Sequence, residues 1–156
     1  MLASLGKSSV RVHRRPLVAV LSTGDEVASL GQSLAPGQVY DINTYTVAAQ
    51  IVRAGGEPLV LAPAPDREGA LTARLRTAMQ QADLIVTSGG VSVGDFDLVK
   101  QVLAAERRMD VWWVNMKPGK PLAFGRLGAV PLLALPGNPV AAMLSFRLFG
   151  RPALYK

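Results

Sequence analysis

The residues with the clearest capacity for chemistry lie in one glycine-rich stretch, residues 87–97, which reads TSGGVSVGDFD. The apolar run before it, residues 83–86, predicts a buried strand, and residues 96–105 predict an amphipathic helix after it. Backbone N–H groups in such a turn can approach a ligand closely, and the positive end of the helix dipole favours phosphate there. Asp95 and Asp97 add carboxylates that could hold a divalent cation bridging to that phosphate. The alternative is a tight strand–helix turn whose acids are solvated.

Four further loops contain residues of the same kinds, and each follows a predicted strand. They are residues 22–26 (STGDE), 63–66 (PAPD), 116–121 (MKPGKP) and 136–139 (PGNP). Ligands of parallel sheets bind outside the carboxyl ends of the strands, so we expect most of these loops to meet at one edge. Together they offer carboxylates at Glu26 and Asp66 and ammonium groups at Lys117 and Lys120. That mixture suits a phosphorylated ligand with Mg²⁺, although any single loop is equally consistent with a turn and solvated charges.

Composition excludes several classes of protein. The 156 residues predict one domain, and 49% hydrophobic with 18% charged residues is typical of a folded chain. The absence of cysteine excludes disulfides, cysteine zinc sites and cysteine nucleophiles, and fits a cytoplasmic location. The net charge of +6 favours anionic partners, but the basic residues are scattered and predict no nucleic-acid surface. No run approaches the roughly 18 apolar residues of a membrane span, so no membrane partner is expected.

Several familiar sites are missing from the sequence. Neither a P-loop GxxxxGK(S/T) nor a GxGxxG after a strand occurs. The single histidine, His13, lies in a basic lead-in, which argues against a histidine-based triad. Function therefore has to be sought in the glycine-rich loops and their charged neighbours.

The elements that must position these loops alternate regularly. Strands are predicted at residues 17–21, 57–61, 83–86 and 111–116, helices at 43–54, 66–81, 96–105 and 139–149, and a hairpin-like pair of strands at 122–125 and 130–135. Asn43, Asp66 and Asn138 are the expected N-caps, with Pro139 at the first helical position and Gly55-Gly56 as a helix stop. Apolar strands that alternate with helices predict an α/β fold with a mainly parallel sheet covered on both faces.

Five motifs together resemble one known family. STGDE, YDIN (residues 40–43), SGGVSVGDFD, MKPGKPLAFG and LPGNP occur in the order and spacing of the MoeA-type molybdopterin molybdenumtransferases, whose animal counterpart is the C-terminal region of gephyrin. The resemblance implies the MogA/MoaB-like molybdopterin-binding fold, a three-layer α/β/α sandwich, for residues 17–150. Residues 1–16 are then a linker or short strand from a preceding domain, and residues 151–156 the start of a following one.

The resemblance also implies a function in molybdenum cofactor biosynthesis. Members of the family insert molybdenum from molybdate into adenylylated molybdopterin and release AMP, with Mg²⁺ assisting. The implied protein is a cytoplasmic homodimer, with a MogA-type adenylyltransferase as a candidate partner. Two alternatives stay open: an adenylyltransferase of the MogA type, whose third-strand loop typically reads GGTG-like instead of GGVSVGD, and a non-catalytic ligand-binding or scaffold module.

Residue roles follow from the same resemblance. It implies catalytic roles for Glu26, Asp66, Asp97 and Lys117, with the three acids as Mg²⁺ ligands. The implied molybdopterin-binding positions are Ser22, Thr23, Gly24, Asp25, Ser88, Gly89, Gly90, Val91, Ser92, Gly94, Asp95, Lys120, Pro136, Gly137, Asn138 and Pro139. Some family members have a further lysine four residues before Lys117, but this chain has Trp113 there, which argues against a second molybdate-binding lysine.

Overall fold

A six-stranded sheet lies at the centre of the computed structural model, which describes residues 2–65, 67–89 and 109–155. The strands are β1 (Leu17–Ser22), β2 (Val27–Ala28), β3 (Val39–Tyr40), β4 (Glu57–Val60), β5 (Leu84–Ser88), β6 (Met109–Trp113), β7 (Pro121–Leu127) and β8 (Val130–Leu135). The helices are α1 (Asn43–Arg53), α2 (Glu68–Gln81) and α3 (Pro139–Ser145); a π-helical turn (Phe146–Gly150) then leads into α4 (Arg151–Leu154). The helix predicted at residues 96–105 lies outside the described residues.

The strand order in this sheet is β4-β1-β5-β8-β7-β6. β4, β1, β5 and β8 run parallel, β7 is antiparallel to β8, and β6 is antiparallel to β7. The predicted mainly parallel sheet and the predicted hairpin are therefore confirmed. Because β6 has the same direction as β8, the loops that follow β1, β5, β6 and β8 all leave the sheet at one edge. β2 and β3 pair with each other in a separate two-stranded ribbon.

Side chains alternate between the two faces of the sheet, as β1 shows. Val18 and Val20 pack in a cluster with residues of α1 and α3, whereas Ala19 and Leu21 pack in a second cluster with residues of α2. All four side chains are fully buried. A strand that is apolar on both faces needs a helix layer on each, and the structure confirms the three-layer α/β/α arrangement.

The start of α1 differs from its prediction. Ile42, not Asn43, occupies the N-cap position, and the carboxylate of Asp41 accepts the hydrogen bond from the Thr44 backbone N–H over 3.0 Å. The predicted cap was wrong because Asn43 directs its amide to other loops, as described below. The predicted stop is confirmed, since the helix ends before Gly55, whose φ of +87° suits glycine.

The other two predicted caps have opposite outcomes. α2 begins at Glu68 with Arg67 at its N-cap, so the predicted start at Asp66 was wrong; Asp66 itself lies outside the described residues. Asn138 does cap α3, because its Oδ1 accepts from the Ala141 backbone N–H over 3.1 Å, and Pro139 is the first helical residue.

The lead-in to the sheet is exposed and is fixed at one point. Residues 2–16 contain a short 3₁₀ turn (Ala3–Leu5) and no strand. Arg14 forms a two-pronged ion pair with Asp83, in which Nη1 lies 2.6 Å from Oδ2. The Leu17 backbone N–H also donates to Asp83 over 2.8 Å. These hydrogen bonds, that of Arg14 above all, hold the pKa of Asp83 below its usual value.

Candidate functional site

A cleft of about 310 Å³ opens at the carboxyl edge of the sheet, above the ends of β1 and β5. It is lined by Ser22, Thr23, Glu26, Val27, Val39, Tyr40, Asp41, Ile42, Asn43, Ser88, Gly89, Gly137 and Pro139. After β1 the chain continues into β4, which lies on one side of β1 in the sheet. β5 and β8 lie on the other side of β1. The cleft therefore lies where the strand order reverses, the usual ligand position in open α/β sheets.

Asn43 connects the start of α1, the end of β5 and the loop after β8 at the floor of this cleft. Its Nδ2 donates to the hydroxyl of Ser88 over 2.8 Å and to the carbonyl oxygen of Gly137 over 2.7 Å. The Ser88 hydroxyl in turn donates to the Pro136 carbonyl oxygen over 3.3 Å. The first residue of α1 is thus tied to the loops after β5 and β8, which fixes the width of the cleft.

A buried polar network supports the wall formed by β1 and α1. The hydroxyl of Ser22 donates to Asp41 Oδ1 over 2.8 Å and lies 2.9 Å from the hydroxyl of Thr44. Ser22, Asp41 and Thr44 are all buried. Because the single hydroxyl proton of Ser22 goes to Asp41, Thr44 must be the donor of the second bond. Ser22 therefore stabilises the wall and has no hydroxyl proton left for a ligand.

The loop after β5 passes very close to the end of β1. Gly89 has a φ of +86°, and a Cβ at this position would lie 2.5 Å from the carbonyl oxygen of Thr23. The Thr23 backbone N–H donates to the Ser88 carbonyl over 2.9 Å, and that of Gly89 to the Leu135 carbonyl over 3.2 Å. Only glycine meets both the backbone angle and the contact, so Gly89 allows the ends of β1, β5 and β8 to meet.

Two polar atoms of the cleft residues are buried and have no hydrogen-bond partner within the described part of the chain. They are Oγ1 of Thr23 and Oδ1 of Asn43. A buried polar atom without a partner costs about 1–3 kcal/mol, so both would be stabilised by a polar ligand. Oδ1 of Asn43 can only accept, and it therefore suits a ligand with an N–H or O–H group.

Glu26 places a carboxylate at the rim of the cleft. The carboxylate folds back over Gly24, where an added Cβ would lie 2.5 and 2.6 Å from its two oxygens. Gly24 has a φ of +135°, so the backbone angle favours glycine, whereas the exposed Glu26 side chain could move away from an added Cβ. Among the described residues, no three His, Cys, Asp or Glu side chains are grouped closely enough to hold a metal ion.

Seven of the implied site residues line the cleft: Ser22, Thr23, Glu26, Ser88, Gly89, Gly137 and Pro139. The implied residues Gly24, Asp25, Pro136 and Asn138 flank it without lining it. Asp66, Gly90, Val91, Ser92, Gly94, Asp95 and Asp97 lie outside the described residues. Their roles stay predictions.

Lys117 and Lys120 leave the sheet at the same edge but do not line the cleft. Both are exposed, and their loop packs against α3: a Cβ on Gly119 would lie 3.4 Å from Ser145 Oγ and 3.6 Å from Ala141 Cβ. The predicted common edge is therefore confirmed for this loop, whereas direct contact of the lysines with a ligand in the cleft stays a prediction.

The segment from Val39 to Asn43 lines the cleft although the sequence assigned it no binding role. Tyr40 and Asp41 contribute side chains, and Asn43 contributes the amide described above. The signal that could have found them is the YDIN motif, which was recognised but placed only at a helix start. The motif ends at the first residue of α1, and like the other loops it lies at the carboxyl edge of the sheet.

Comparison with known proteins agrees with this arrangement. Residues 19–156 match the family described as probable molybdopterin binding domain. The chain belongs to this family. It is 42% identical over its whole length to the molybdopterin molybdenumtransferase of Haemophilus influenzae and covers 39% of that protein. The chain thus spans about two fifths of the length of this relative.

Solved structures show the same fold. The molybdopterin biosynthesis MoeA protein from Pyrococcus horikoshii matches 98% of the chain with a TM-score of 0.84 and 35% identity, over 38% of its own length. The tungsten cofactor synthesizing protein MoaB from Pyrococcus furiosus matches 92% of the chain and 96% of its own with a TM-score of 0.64. At 16% identity the second match shows the fold alone.

No helix among the described residues is long and apolar enough to cross a membrane.

Proposed function

We propose that the cleft binds adenylylated molybdopterin, and that this chain is the molybdopterin-binding part of a molybdopterin molybdenumtransferase in molybdenum cofactor biosynthesis. Membership of the molybdopterin-binding family and the name of the Haemophilus relative support the proposal. The observation that carries it is the meeting of the STGDE and YDIN loops, Ser88-Gly89 and the PGNP loop around one cleft where the strand order reverses.

The chemistry of the cleft suits the pterin end of such a ligand. A pterin ring presents N–H groups along one edge, and Oδ1 of Asn43 is a buried acceptor that needs a donor. Thr23 Oγ1 can either donate or accept at the neighbouring position. We infer that these two groups orient the pterin ring. The net charge of +6 attracts the negatively charged phosphates of the ligand.

The acids and Lys117 are proposed to act at the phosphate end. Mg²⁺ is usually held by one or two carboxylates together with phosphate oxygens and waters, so Glu26 at the rim suits one such ligand position. Asp66 and Asp97 are the other proposed ligands, and Lys117 the proposed group for molybdate, a dianion. Mg²⁺ bound there would neutralise charge on the phosphoanhydride from which AMP departs.

Turnover is proposed for the longer protein, and ligand binding for this chain. The chain spans about two fifths of its relative, and residues beyond it, from the same or a partner subunit, are proposed to complete the active site. A cytoplasmic homodimer, supplied with adenylylated molybdopterin by a MogA-type adenylyltransferase, is the proposed context.

Calorimetric titration with adenylylated molybdopterin, with and without Mg²⁺, tests the proposal. We expect binding that strengthens with Mg²⁺ and weakens about tenfold or more in Glu26→Gln, because a lost charge-assisted contact costs about 1.5–3 kcal/mol. Glu57→Gln is the matched control, since Glu57 is exposed and is the first residue of β4, at the edge of the sheet opposite the cleft. Absence of binding would favour a scaffold module, and formation of the adenylylated pterin from ATP would favour the MogA-type activity.

A further inference from the structure

A second cavity, of about 290 Å³, lies on the helical layer formed by α1, α3 and the π-helical turn. Gln50 and Arg53 of α1 line one side, and Met143, Phe146, Arg147 and Arg151 line the other. We refer to this cavity as the arginine pocket. Arg53 is ten residues from Asn43 along α1, so the pocket lies about 15 Å from the start of the helix, away from the cleft.

Three guanidinium groups border the arginine pocket, and no carboxylate of the described residues does. Arg53 and Arg147 have no carboxylate partner among the described residues. Arg151 donates through Nε to the hydroxyl of Tyr155 over 3.0 Å, and its guanidinium lies 5.5 Å from the centre of the tyrosine ring. Tyr155 therefore orients Arg151 without neutralising it.

Helix stability accounts for only part of this concentration of charge. The negative ends of the α1 and α4 dipoles each favour a cation in the last turn, which Arg53 and Arg151 supply. Arg147 and Arg151 are four residues apart on the following helical segment, a spacing at which like charges destabilise a helix. An anion between the arginines would remove this repulsion.

Gln50 provides an independent sign of a missing ligand. Its Nε2 is buried and has no hydrogen-bond partner among the described residues. The side-chain amide nitrogen can only donate, so it needs an acceptor within the pocket. The three guanidinium groups are also donors only, so they and the Nε2 atom of Gln50 all require an acceptor from an occupant.

We infer that the arginine pocket binds a small molecule that bears phosphate and at least two negative charges. Guanidinium groups bind phosphate oxygens in pairs, and the volume suits a ligand up to about the size of a mononucleotide. Met143 and Leu144, which line the pocket and are partly exposed, offer apolar contact to the rest of the ligand. The same face of a second copy would set arginine against arginine, and this repulsion disfavours self-association there.

Titration of ¹⁵N-labelled protein with inorganic pyrophosphate, followed by NMR, tests this inference. The side-chain amide signal of Gln50 reports on the pocket alone, because the cleft lies at the other end of α1. We expect a saturable shift of this signal. We expect about tenfold weaker binding in Arg53→Gln and in Arg147→Gln, since each removes a charge-assisted contact to phosphate.

Two controls separate the pocket from general charge effects and from the cleft. Arg76→Gln removes an exposed arginine of α2, on the opposite layer, and should leave the affinity unchanged. Glu26→Gln should also leave the Gln50 shift unchanged, so failure of the proposed cleft function would not affect this result.

Three outcomes would overturn the inference. One is the absence of any Gln50 shift at millimolar pyrophosphate. Another is equal weakening by Arg76→Gln and Arg147→Gln. The third is a shift produced by poly-glutamate but not by pyrophosphate, which would assign the pocket to an acidic protein segment instead.

Discussion

The side-chain amide of Asn43 donates to the hydroxyl of Ser88 over 2.8 Å and so ties the start of α1 to the end of β5. The same amide donates to the carbonyl oxygen of Gly137 over 2.7 Å. The two walls of the cleft are therefore held together by one side chain. Its remaining oxygen is the buried acceptor that we assign to the ligand.

Asn43→Ala should lower the free energy of unfolding by about 1–3 kcal/mol, because it leaves buried groups without their partner. It should also weaken binding of adenylylated molybdopterin. Urea unfolding and calorimetry measure the two effects. Asn115→Ala is the control for stability, since Asn115 is an exposed loop residue. Equal stability losses in the two variants would contradict the bridging role of Asn43.

Gly89→Ala should destabilise the chain more than Gly37→Ala. Both glycines have a positive φ, +86° and +83°, so each substitution pays a similar backbone cost. A Cβ at Gly37 meets nothing within 4 Å, whereas at Gly89 it meets the Thr23 carbonyl oxygen at 2.5 Å. Overpacking of this kind typically adds about 1–3 kcal/mol. A comparison of the two unfolding midpoints isolates that term, and identical midpoints would show that the loop relaxes freely.

The Arg14–Asp83 pair should stabilise the chain at neutral pH and lose its effect in acid. The folded pKa of Asp83 is lowered, so its contribution is full above the unfolded value of about 3.9 and is lost as the pH falls through the folded value. The two side chains are 72% and 35% exposed, so screening by solvent should keep the contribution small. Unfolding of the parent and Asp83→Asn as a function of pH measures it; a stability difference that persists at low pH would contradict the assignment.

Asn138→Ala should cost about 1 kcal/mol of stability, because α3 loses the side chain that caps its start. Asn138→Ser, which can cap in the same way, should restore most of that loss. Thermal unfolding distinguishes the variants. If serine and alanine were equally destabilising, the capping bond would not be the reason for the asparagine in the PGNP loop.

The sequence predicts the layers of this fold better than the interior of its site. Residues 17–21 are apolar throughout, which predicts a buried strand without further information, and the structure extends the predicted strand by one residue, to Ser22. Asn43 shows where local reasoning fails. Its type and position favour an N-cap, but its amide bonds to Ser88 and Gly137, residues distant in sequence that only the tertiary fold brings near. The carboxylate of Asp41 instead accepts the hydrogen bond from the Thr44 backbone N–H at the start of α1.

The candidate site was predictable only in part for the same reason. Glycines and acids in loops after strands indicate the carboxyl edge of the sheet, and Glu26, Ser88 and Gly89 do line the cleft. The distance of Lys117 and Lys120 from the cleft could not be predicted in this way, because their loop follows β6, which lies at the far end of the strand order. Distance across a sheet depends on strand order, which local patterns do not encode.

The pairing of β5 between β1 and β8 has a consequence for synthesis on the ribosome. The walls of the cleft come from segments far apart in the sequence, with Ser22 synthesised before Ser88 and Gly137 after both. β5 gains its second neighbour only when β8 is complete, and the hydrogen bond from Asn43 to Gly137 follows later still. A nascent chain can therefore hold a partial sheet while it has no cleft, and its exposed strand edge must be shielded until β8 has emerged.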